Sequence, residues 1–138
     1  MILSFSVDSM RPMIVAGLRQ RAGAEVGGER VKRQTVRKRG PRAEMLLAQA
    51  AANGGLCRYA LHLWWKSRTA ERAELGVIAE PPATCWPISI DLADVRVAGA
   101  AVDAHEFARL DGFDHLSDMH SFFELDRGDV FYGILFKW

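Results

Sequence analysis

The chain has 138 residues, 49% of them hydrophobic and 25% charged. That is the composition of one globular domain, 1–138, large enough to bury about two-thirds of its unfolded surface without disulfides or a metal. No apolar run approaches the ~20 residues of a membrane span, and the opening MILSFSVDSM lacks both a basic start and a small-residue cleavage site, so a cytoplasmic protein with no membrane role is expected. The net charge of +1 hides an asymmetry: residues 1–42 carry ten basic and three acidic side chains, whereas the remainder carries eight and fourteen. A segregated charge of this kind points to a polyanionic partner.

Ile2, Leu3, Phe5 and Val7 alternate with Ser4 and Ser6, the period-2 pattern of a half-buried strand. A short helix over 9–16 follows, N-capped by Ser9, stopped by Gly17, and lined inside by Met10, Met13 and Ile14. Residues 18–30, with Gly23, Gly27 and Gly28 and little apolar periodicity, read as a flexible loop. A second strand is predicted over 31–37. Pro41 then suits the first turn of an alanine-rich helix ending at Gly54-Gly55.

Residues 57–66 alternate again, with Leu61, Leu63 and Trp65 on the face expected to be buried. Three further strands are predicted over 74–80, 84–92 and 94–99, the first two separated by Pro81-Pro82. Asp103 caps a helix through Leu110, residues 117–123 form another, and 130–138 close the chain as a last strand. Six or seven short strands with small helices, and no β-α-β alternation, predict an α+β fold built on a small mixed β-barrel with helices packed around it. Cys57 and Cys85 occur in unrelated contexts with no C-x-x-C, and two separate buried, reduced thiols are expected.

The phosphate-loop, dinucleotide-binding and nucleophile-elbow motifs are absent. The four histidines show neither an H-x-x-x-H pair nor a neighbouring cysteine, so neither a metal nor a cofactor is expected. What remains is Lys32-x-x-Thr35-x-Arg37. A lysine of lowered pKa can act as general base for a threonine hydroxyl, and an arginine beside them can hold an anion. In a regular strand Thr35 and Arg37 share one face and Lys32 the other, so Lys32 must enter from a loop or bulge.

Asp111, within LDGF, either caps the following turn or reaches into a pocket to pair with Lys32 or Arg37, while Gly112 supplies a left-handed turn. The acid-free run 30–42 places Arg33, Lys38 and Arg39 beside Arg37 as phosphate-binding candidates. Of the four tryptophans, Trp65 and Trp138 belong in the core, and Trp64 and Trp86 are left to line a pocket and stack on a base.

The stretch DVRVAGAAVDAHEFARLDGFDHLSDMHSFFE with the closing VFYGILFKW, and the opening MILSFSVDSMRPMIVAG with K-x-x-T-x-R, resemble ASCH domains of the PUA-like superfamily. The resemblance implies a barrel-and-helix cleft, a partner that is RNA or a modified nucleoside, and two further classes of role. One branch of the family hydrolyses the amide of N4-acetylcytidine with a lysine, a threonine and an acid, which by motif position are Lys32, Thr35 and Asp111 here. Other members are ribonucleases, and a non-catalytic domain that docks a protein is the remaining alternative. The sequence departs from the pattern between Gly17 and Lys32, where the family has a single intervening residue. By count from Gly17, Arg19 occupies the lysine position; by spacing to Thr35 and Arg37, Lys32 does.

Overall fold

The computed structural model describes residues 1–79 and 83–138. Strands β1 (Ile2–Phe5), β2 (Gln34–Lys38), β3 (Leu61–Trp65), β4 (Ala73–Ile78), β5 (Thr84–Ile90), β6 (Val95–Val97), β7 (Ala100–Val102) and β8 (Phe131–Lys137) are joined by helices α1 (Arg11–Arg21), α2 (Pro41–Ala51), α3 (Ala104–Leu110) and α4 (Leu116–Phe122). A single 3₁₀ turn, Asp8–Met10, leads into α1. The expected break at Pro81-Pro82 and the end of the strand predicted to reach Glu80 lie outside the described residues.

The fold is α+β, and the expected barrel is not closed. One sheet has three strands in the order β1-β3-β4 and the other five in the order β2-β8-β5-β6-β7. Within the first sheet β1 and β3 run parallel, a pairing that the absence of β-α-β alternation in the sequence does not reveal. The crossover between them contains α1, β2 and α2, but β2 joins the other sheet. Periodicity shows which segments are strands and is blind to such a choice of partner.

Alternation places the core where expected. Leu61, Leu63 and Trp65 of β3 are buried, as are Leu3 and Phe5 of β1, and the four consecutive residues Gly133 to Phe136 make β8 a strand covered on both faces. Each fully buried Leu, Ile or Phe contributes about 1.5–3 kcal/mol of apolar transfer free energy, opposed by chain entropy. In α2 the positions Ala43, Leu47 and Ala50 form the buried stripe, while Pro41 stands in its first turn and the chain leaves through Gly54 and Gly55 at φ 64° and 87°.

Two elements differ from the sequence reading. Helix α1 does not stop at Gly17 but continues to Arg21, so residues 18–21 of the expected loop are helical. Gly17 serves close packing instead: a Cβ there would lie 2.2 Å from the Lys32 carbonyl oxygen. The strand predicted over 94–99 is a hairpin, because Ala98 and Gly99 both adopt left-handed φ, 51° and 82°, and reverse the chain between β6 and β7. The cysteines are not in separate surroundings either. An antiparallel bridge between Leu56 and Thr84 sets Cys57 against β5, and the half-buried Cys57 thiol and the buried Cys85 thiol act on each other's ionisation.

Helix α3 begins where Asp103 accepts a hydrogen bond from the Glu106 amide at 2.8 Å. It ends at Asp111-Gly112-Phe113. The amides of Gly112 and Phe113 donate to the carbonyls of Arg109 and Ala108, and Gly112 takes φ 100°. This reversal turns the Asp111 side chain toward the interior, where it is 4% exposed.

Candidate functional site

The centre of the site is an ion pair between residues far apart in sequence. Lys32 precedes β2 in irregular backbone, its amide donating to the Met13 carbonyl of α1 at 2.8 Å, and enters the core from there. Its Nζ donates to Asp111 Oδ1 at 3.1 Å and also to the Asp111 carbonyl oxygen. The two residues are 1% and 4% exposed. The loop of residues 22–31 therefore returns the chain so that Lys32 lies directly on Gly17. Arg19 instead points to solvent and pairs with Glu29 at 3.3 Å, so of the two candidates for the family's lysine position only Lys32 reaches the site.

Burial sets the electrostatics. Removing a charged group from water costs several kcal/mol, and mutual attraction offsets this only in part. The Lys32 amine is accordingly lowered from its ordinary value, chiefly by desolvation and also by the Arg37 charge, against the opposing pull of Asp111. Burial likewise raises the Asp111 carboxyl, against the pull of Lys32 and Arg37. Both members of the pair are thus pushed toward their neutral forms, the condition in which a lysine can accept a proton. Gln34 weakly favours the ionised carboxylate, while its Nε2 lies buried without a hydrogen bond among the described residues.

The pair borders a cavity of about 530 Å³ between the end of β1, β2 and the α3–α4 segment. Thr35, Arg37 and Lys38 line its polar side together with Lys32 and Asp111. Among the described residues the Thr35 hydroxyl has no hydrogen bond, which leaves it available to a ligand. The guanidinium of Arg37 lies 4.8 Å from the centroid of Phe5, and its Nε is buried without a hydrogen-bond partner among the described residues. Phe113, Phe122, Phe123 and Phe131 form the opposite wall, with ring centroids 4.6 Å apart for Phe123 and Phe131 and 5.3 Å for Phe113 and Phe122. Glu124, at φ 54°, closes the rim.

Not every expected site residue is here. Trp64, half-buried in register with Ser4 and Glu74, and Trp86, whose ring covers Gly55 so closely that a Cβ there would be 2.2 Å away, both lie outside the cavity. Any stacking surface is phenylalanine rather than tryptophan. Arg33 donates through Nε to the Trp138 carbonyl at 2.8 Å, Arg39 pairs with Glu44, and Arg30 binds Asp114 and the Phe113 carbonyl. Much of the basic run is thus committed within the protein. Trp65 and Trp138 are core residues, as the alternation indicates. The sequence reading missed the aromatic wall and Glu124; the only available signal was the density of aromatic residues from Phe113 to Phe123.

Among the described residues, no group of three or more His, Cys, Asp or Glu could hold a metal ion, and no helix is long and apolar enough to cross a membrane. Compared with known proteins, the chain matches no family model, no curated protein and no solved structure.

Proposed function

We propose that this is an ASCH-type, PUA-like domain whose Lys32 cavity binds a modified nucleoside. The observation that carries the reading is the buried Lys32–Asp111 pair facing a cavity that also presents Thr35, Arg37 and an aromatic wall. A volume of about 530 Å³ suits a small molecule, and a planar heterocycle can stack on Phe122 or Phe123 while polar groups meet the opposite side. The internal pairing of Arg30, Arg33 and Arg39 argues against the whole run 30–42 serving as a phosphate-binding strip.

A second reading, hydrolysis of an exocyclic amide such as that of N4-acetylcytidine, is favoured by the lowered Lys32 pKa and an unbonded threonine hydroxyl lining the same cavity. In that reading neutral Lys32 takes the Thr35 proton as Oγ1 attacks the acyl carbon. Collapse of the tetrahedral adduct breaks the C–N bond, and the leaving amine takes the proton back from Lys32. Water then hydrolyses the acyl-threonine, releasing the carboxylic acid and restoring the hydroxyl. Asp111 holds the amine in place throughout.

The test is a calorimetric titration with N4-acetylcytidine, accompanied by chromatography for released cytidine. Saturable binding supports the nucleoside site, and its absence contradicts it. Release that disappears in Thr35→Ala supports hydrolysis, whereas release that persists in that variant removes threonine as nucleophile.

A further inference from the structure

A second concavity of about 680 Å³ adjoins the first, sharing Ser4, Ser6 and Arg37 with it. Its other cations come from two segments remote in sequence: Arg42 in the first turn of α2, and Lys66 and Arg68 from the turn between β3 and β4. Hydroxyls of Ser67 and Thr69 complete the polar lining, which among the described residues contains no carboxylate. The β3–β4 turn is held against β1, since the Ser67 amide donates to Ser4 Oγ at 3.1 Å and the Lys66 amide donates to the Phe5 carbonyl at 2.8 Å.

The local charges leave most of this groove uncompensated. Lys66 pairs with Glu71 at 2.8 Å, and Asp8 and Arg11 also act on it. Arg37, Arg42 and Arg68 form no ion pair among the described residues. Arg37 stands where the two concavities meet, with a buried Nε that no acceptor among the described residues satisfies. The Asp111 carboxylate acts on this guanidinium from the cavity side, and an anion supplied from the groove would further offset its desolvation.

We propose that this groove is a phosphate subsite, formed by Arg37, Arg42, Lys66 and Arg68, and that it extends the ligand of the Lys32 cavity from a nucleoside to a nucleotide. The proposal rests on the nucleoside reading of the cavity for the position of the base, and on the groove alone for the phosphate. A free nucleotide and a phosphodiester of a single RNA strand present the same chemistry to these cations. In either case the bond is electrostatic and falls with salt. The phosphate-binding cations are then not the run 30–42 as a whole but two of its members completed by the β3–β4 turn.

The experiment compares four ligands by calorimetry at low salt: inorganic phosphate, N4-acetylcytidine, its 5′-monophosphate, and a hexaribonucleotide containing the same base. Each is titrated into wild type, the Arg42→Ala/Arg68→Ala double variant, and Arg39→Ala, which removes a cation outside both concavities. Arg42 and Arg68 are exposed, so the double variant retains the fold. The expected result is a monophosphate that binds wild type roughly 10-fold more tightly than the nucleoside, an advantage lost in the double variant and kept in Arg39→Ala. The salt dependence for the hexaribonucleotide should also fall by about one to two ions in the double variant. Equal affinity for nucleoside and monophosphate, or an advantage that survives in the double variant, overturns the subsite. Binding of phosphate and RNA that depends on Arg42 and Arg68, without binding of the nucleoside, upholds the groove and refutes the nucleoside cavity. A hexaribonucleotide much tighter than the monophosphate identifies an RNA strand as the source of the phosphate; equal affinities identify the free nucleotide.

Discussion

Two pairs drawn from the same basic run meet opposite fates. Arg39 binds Glu44 in the next helix, and both side chains remain largely in water. Lys32 crosses from one side of the fold to Asp111 at the end of α3, and both are removed from water. The first pair is a local surface contact, screened by salt and opposed by side-chain entropy. The second links the segment before β2 to the end of α3, and burial lowers its lysine below the ordinary value. Equal formal charge therefore says little about what a residue does; the medium around it decides.

The comparison is broken most severely by Asp111→Ala, which leaves a lysine buried without its counter-ion. A destabilisation of about 3 kcal/mol or more is expected in urea unfolding. Replacing both partners, Lys32→Met with Asp111→Leu, should recover most of that loss, because no charge then remains to be desolvated. A double variant as unstable as Asp111→Ala would show that packing rather than charge governs the position. Next in size is Gly17→Ala. Its new methyl group meets the Lys32 backbone rather than a flexible side chain, so the cost is about 1–3 kcal/mol together with weakened ligand binding. An unchanged urea midpoint would mean that Lys32 is not held by α1. Smallest is Arg39→Ala, for which no measurable shift of the midpoint is expected at moderate salt; a clear shift would place the exposed pair among the contacts that hold the fold.

Much of this was legible in the sequence. Alternation in 61–65 and the capping residue Asp103 locate β3 and α3, and K-x-x-T-x-R with Asp111 names the residues that meet at the cavity. The requirement that Lys32 enter from irregular backbone also holds. The failures share a cause. Gly17 resembles a helix stop because its steric role depends on a backbone segment that returns from the end of a loop. Ala98-Gly99 does not resemble a hairpin turn because alanine seldom adopts positive φ. The basic run resembles a phosphate-binding strip because sequence shows charges but not their partners, and Asp114, Glu44 and the Trp138 carbonyl are contributed by other parts of the chain. The barrel remained open for the same reason, since strand partners are chosen in three dimensions.

The central claim is that Lys32 is a desolvated, proton-exchanging amine at a ligand cavity. NMR titration of protein carrying carbon-13 at the lysine ε-positions tests it directly, recorded with and without N4-acetylcytidine and assigned with Lys32→Met. The account predicts one resonance, lost in Lys32→Met, that titrates below the ordinary lysine value of 10.5 and shifts when the nucleoside is added. A Lys32 signal that titrates with the surface lysines and ignores the nucleoside would contradict it.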